Sequence, residues 1–62
     1  MDEEIFRAAQ AMIRNHGNQA ERKAVQRAAH LESDEPRAST HWERVAAAIR
    51  TLMESSGRSG RG

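Results

Sequence analysis

Three histidines stand at positions 16, 30 and 41, and two of them repeat a pattern, His30-Leu31-Glu32 and His41-Trp42-Glu43. Imidazole and carboxylate are ordinary donors for zinc and its neighbours. The spacing works against that use. Residues i and i+2 on a helix point about 200° apart, so neither pair chelates one ion from a single face. There is no His-Glu-x-x-His run. The chain has no cysteine, which removes thiolate ligands, disulfides and cysteine nucleophiles together. The expectation is no metal and no other cofactor, with His16 helping to end a helix and His30 and His41 in solvent.

Catalysis needs a pocket and at least two groups whose environments push their pKa values apart. The chain has no tyrosine, no glycine-rich phosphate loop, and no Ser–His–Asp order with a scaffold behind it. Its carboxylates fall at helix ends or on polar faces. It reads as a non-enzyme without a small-molecule substrate. Two groups remain as candidate sites. Arg22, Lys23 and Arg27, continued by His30, make a basic strip that could lie against phosphates, although Glu21 and Glu32 beside it suit a plainly solvated face. Trp42 is the one tryptophan. It packs inward as the anchor of the last helix, or stays partly exposed as an anchor for a partner. Trp42, Phe6 and Ile49 are the candidate interaction anchors, and Arg22, Lys23 and Arg27 the candidate nucleic-acid contacts.

These residues fall on three amphipathic segments. Ile5, Phe6, Ala9, Met12 and Ile13 recur at helical spacing, which predicts a helix over about 2–15. His16-Gly17 reads as its stop, with Gly17 free to take a left-handed conformation. Asn18 is the expected N-cap of a second helix over about 18–32, with Ala20, Ala24, Val25, Ala28 and Leu31 as its apolar stripe. A stripe this rich in alanine lets neighbours approach closely but buries little area. A third helix is expected over about 36–54. It is capped by Asp34 with Pro36 in the first turn, in preference to a later start from a Thr40–Glu43 capping box. Ala38, Trp42, Val45, Ile49 and Leu52 form its stripe, widened by Ala46 and Met53. Residues 55–62, Ser-Ser-Gly-Arg-Ser-Gly-Arg-Gly, hold no large apolar side chain and are expected to be a disordered tail. The fold class is therefore all-α, a small three-helix domain over 1–54.

Net charge is +1, from ten Lys and Arg against nine Asp and Glu, and its distribution is uneven. Asp2, Glu3 and Glu4 open the chain. Arg7, Arg14, Arg22, Lys23 and Arg27 outweigh Glu21 in its middle, and Glu32, Asp34 and Glu35 follow. A dipolar surface of this kind differs from the strongly basic domain of a dedicated nucleic-acid binder. No apolar run approaches the roughly 18 residues of a membrane span, and the acidic start is the opposite of a signal-peptide start. A cytoplasmic protein is expected.

Ala9, Ile13, His16-Gly17, Ala20, Ala24, Arg27-Ala28, Leu31, Trp42, Val45 and Ala48-Ile49 together resemble a group of short bacterial helical proteins of unknown function. The resemblance covers about residues 3–53. Its more telling features are the His-Gly turn, the alanine-rich second helix and the single Trp in the last. Those proteins often carry Gly-Asp before the last helix, where this chain has Ser33-Asp34-Glu35-Pro36. The resemblance implies a compact helical protein and carries no activity or site residues.

A chain this short buries only roughly 60% of the surface it exposes when unfolded, and few of its apolar side chains are large. Burial at an interface would supply what the core lacks. The reading is a small non-enzymatic protein-interaction module, docking on an unidentified protein or on itself as a homodimer, through the wide stripes of the first and third helices. The alternative is a small nucleic-acid-binding regulator using the basic face of the second helix.

Overall fold

The computed structural model describes residues 2–61, with side chains through Ser55. Helix α1, Glu3–His16, opens on Asp2, whose carboxylate accepts from the Glu4 N–H at 2.9 Å. That bond satisfies one of the four N–H groups that a helix start leaves without partners. Glu3 and Glu4 in the first turn, and Arg14 and His16 in the last, complement the helix dipole.

The helix stops at Gly17, which lies at φ +60° and ψ −130° and donates its N–H to the Ile13 carbonyl. The positive φ matches the sequence expectation; the ψ does not. This is the mirror image of the extended region rather than the left-handed helical one, and it too belongs to glycine. A Cβ here would meet nothing within 4 Å, so Gly17→Ala isolates backbone strain. Its expected cost is about 1–3 kcal/mol, read by thermal melting with the helical circular dichroism unchanged.

No coil separates the first two helices. A 3-10 turn, Gly17–Gln19, runs directly into α2, Ala20–Leu31. Asn18 therefore lies inside that turn and is not the N-cap. Gln19 holds the cap position and makes no side-chain cap bond. Counted by continuous backbone there are two helical runs, 3–31 and the one from Pro36. Because the chain turns at Gly17, they form three packed helices, and among the described residues there is no strand.

Helix α3, Pro36–Arg61, takes the earlier of its two expected starts. The Leu31 carbonyl accepts from the Glu35 N–H at 2.8 Å, and the Glu35 carbonyl accepts from Ser39 N–H at 2.9 Å. Glu35, not Asp34, thus opens the helix, and Pro36 needs no N–H partner in its first turn. Thr40 lies within the helix and donates its hydroxyl to the Pro36 carbonyl at 3.1 Å. The backbone stays helical past the expected stop at Glu54. Serine and glycine lower helix propensity by no more than about 1 kcal/mol each, and no proline follows to break the ladder. The expected disordered tail falls almost wholly on residues 56–62, whose side chains lie outside the described ones.

All three helices touch one another, α2 and α3 most extensively. The core is Ile5 and Ala9 from α1, Ala20 and Ala24 from α2, and Val45, Ala46, Ala48 and Ile49 from α3. Among the described residues only Val45 and Ile49 are large and fully buried, and the rest of the core is mostly alanine. Ala8, Met12, Ile13, Trp42 and Leu52 lie half-buried around it. Alanine methyls let the α2 and α3 backbones come close enough for a polar tie. Ser39 is buried, and its hydroxyl donates to the Ala28 carbonyl at 2.7 Å. At this end of α2 the Glu32 N–H donates to the Ala29 carbonyl, so Ser39 supplies a donor where the helix ladder ends. Ser39→Ala is expected to cost about 1–3 kcal/mol, since it leaves a buried acceptor without its partner. Urea unfolding of the variant beside the parent checks this.

Candidate interaction surface

The core excludes two side chains that the sequence placed in it. Val25 is 50% exposed and Met53 39% exposed. Each sits one residue, or about 100° of rotation, beyond a position that does face inward: Ala24 for Val25 and Leu52 for Met53. With α2 seated so closely on α3, the inward arc is narrow and neither side chain reaches it.

Val25 forms part of a groove between α2 and α3, about 330 Å³ in volume, floored by Ala28, Ala29, Ala46 and Ala47. Glu21, Glu32, Glu43 and Arg50 line its ends. At one end Arg50 bridges the helices, donating from Nε at 3.0 Å and a terminal nitrogen at 2.7 Å to one Glu21 oxygen. The Glu21 hydrogen bond and charge, with Glu54 adding to them, hold the Arg50 guanidinium above its usual pKa. The other end carries Glu32 and Glu43, and among the described residues neither forms an ion pair.

The opposite flank of α2 is basic. Lys23, Arg27, His16 and His30 line a depression of about 290 Å³ with Gln26 and Met12. Arg22, the third candidate nucleic-acid contact, is exposed but does not line it. Arg27 is engaged elsewhere as well: its guanidinium carbon lies 5.0 Å from the centre of the Trp42 ring. Such a cation–π contact is worth about 0.5–1 kcal/mol at an exposed site. The His41 ring meets Trp42 edge-on at 5.8 Å and 85°. His41 is consequently half-buried rather than in solvent, whereas His16 and His30 are exposed.

The three candidate anchors separate. Ile49 is fully buried and belongs to the core, so it is not available to a partner; α3 presents it at the centre of the three-helix contact. Trp42 and Phe6 are half-buried. The groove with Val25 is built by α2 and α3; between α1 and α3, where the sequence placed the contact surface, Asp2, Ile5, Arg44, Ala47, Ala48 and Thr51 line a further depression of about 300 Å³.

The sequence pattern places Val25, Ala28 and Ala46 on inward stripes and Glu21 and Glu32 beside the basic strip, and does not bring them together as a groove, yet a signal for one exists. Glu21, Val25, Ala28 and Glu32 stand at i, i+4, i+7 and i+11. Glu43, Ala46 and Arg50 stand at i, i+3 and i+7, with Glu54 one turn beyond the groove. Each is a second stripe, beside the main one and framed by carboxylates.

Among the described residues no group of three or more His, Asp or Glu is placed to hold a metal ion, and no helix is long and apolar enough to cross a membrane. No buried side-chain nitrogen or oxygen among them lacks a hydrogen-bond partner. No protein-family model matches the chain, and no curated protein or solved structure matches it.

Proposed function

We propose that this chain is a small non-enzymatic protein-interaction module acting in the cytoplasm. The observation that supports the reading is the apolar surface on α2 and α3. Val25 and Met53 stand out in a domain whose fully buried large side chains, among the described residues, are Val45 and Ile49. Isolated exposed apolar residues are ordinary. Val25 is different in lying over a groove already walled by a second helix. Such grooves receive partner helices.

A photo-reactive residue at Ala29 in the groove, or at Met53, should yield discrete covalent adducts in cells, with Gln10 on the exposed side of α1 as the control. Adducts formed by the purified protein alone identify a second copy. Adducts formed only in cells identify another protein. Equal yields at all three positions would remove the reading.

A nucleic-acid contact through Arg22, Lys23 and Arg27 ranks second. Its support is the depression that gathers Lys23 and Arg27 with two histidines. It ranks lower because Arg27 is seated on Trp42 and the chain carries a net charge of only +1.

A further inference from the structure

The geometry points to a specific occupant for the α2–α3 groove: a basic amphipathic helix of a partner protein, about three turns long, with small apolar side chains between its cations. This rests on the interaction-module reading and adds to it the chemistry of the partner.

Three observations argue for it. The floor is alanine and one wall is Val25, so a helix bearing small apolar residues can come close, as large ones could not. The α3 side of the groove runs from Glu43 to Arg50, while the longer wall, on α2, runs eleven residues from carboxylate to carboxylate, Glu21 to Glu32. At 1.5 Å per residue that is about 16 Å, or three turns of a docked helix. The charge is one-sided. The single cation lining the groove, Arg50, is held by Glu21 at 2.7 Å, while Glu32 and Glu43 at the far end have no cation paired with them among the described residues. Lysine or arginine side chains at one end of the incoming helix would meet those two carboxylates.

The same charges disfavour a symmetric pairing of two copies through this groove. Antiparallel apposition sets Glu32 and Glu43 of one copy against the occupied Glu21–Arg50 pair of the other, and among the described residues no other cation lines the groove.

The test uses the whole chain, labelled with ¹⁵N, and two synthetic helical peptides of equal length and identical alanine faces. One carries lysines at one end of that face and the other carries glutamates. The lysine peptide should bind, with amide shifts concentrated at Val25, Ala28, Ala29, Glu32, Glu43 and Ala47. Glu32→Gln with Glu43→Gln should weaken it about tenfold, as two exposed ion pairs allow. Raising the ionic strength should weaken it too, because such pairs are screened. Both substitutions are on exposed sites and leave the helical fold intact, which the amide spectrum itself reports.

Equal binding of the glutamate peptide, shifts centred on Lys23 and His30, or no binding of the lysine peptide would each overturn the proposal. So would self-association that moves the groove amides without peptide. Cross-linking separates this failure from that of the parent reading: adducts at Met53 but none at Ala29 would end the groove proposal and leave the module standing.

Discussion

Ile49→Ala is expected to abolish cooperative unfolding. Ile49 is fully buried, and with Val45 it is the largest such side chain. Leucine- or isoleucine-to-alanine changes at such positions cost about 2–5 kcal/mol, more where the site cannot collapse. Here the room to collapse is small. Ile49 shares its buried cluster with Ala9, Ala20, Ala24, Ala46 and Ala48, whose methyls have no rotamer through which to move into the space. A domain of this length has roughly 3–9 kcal/mol of stability in all, at about 0.05–0.15 kcal/mol per residue. A loss near the upper part of the range removes most of it. Urea unfolding followed by circular dichroism would show a broad, non-cooperative decline. A sharp transition close to the parent's would mean that Ile49 lies at a surface after all.

Trp42→Ala should cost somewhat less, about 3 kcal/mol, the low end for a truncated aromatic. The ring is only half-buried, so part of its area faces water before the change as well as after it. The loss includes the Arg27 seat and the His41 edge contact. Trp42→Phe keeps most of the packing and should recover most of the stability. If Trp42→Ala melted like the parent, the ring would be an interface residue that contributes nothing to folding.

The main apolar stripes were legible in the sequence, and α3 shows why. Ala38, Trp42, Val45, Ile49 and Leu52 were spaced to share one face, and the structure buries Val45 and Ile49 with the other three half-buried around them. The stop at Gly17 was legible because few other residues accept a positive φ. The cap of α2 was not. A 3-10 turn satisfies the chain without the Asn18 side chain, and periodicity carries no information about that choice. Val25 was misplaced because spacing alone cannot say how wide the inward arc of a helix is. That width follows from how closely the neighbouring helix approaches, which the alanines of α2 set. Ser39 was missed for a related reason. A serine beside an apolar stripe looks like surface until the other helix brings a carbonyl to within 2.7 Å of it.

The central claim is that the apolar surface over the α2–α3 groove serves association and not folding. Val25→Lys tests it most directly, measured in parallel for melting and for photo-cross-linking from Ala29. Val25 is 50% exposed, and lysine is the better helix former, so folding stability should stay within about 0.5 kcal/mol of the parent, as for other surface changes. The charge set into the apolar wall should at the same time remove the Ala29 adduct. A variant that melts several degrees lower would show Val25 to be part of the core, and an undiminished adduct would show that the groove is not where the partner sits; either result contradicts the account.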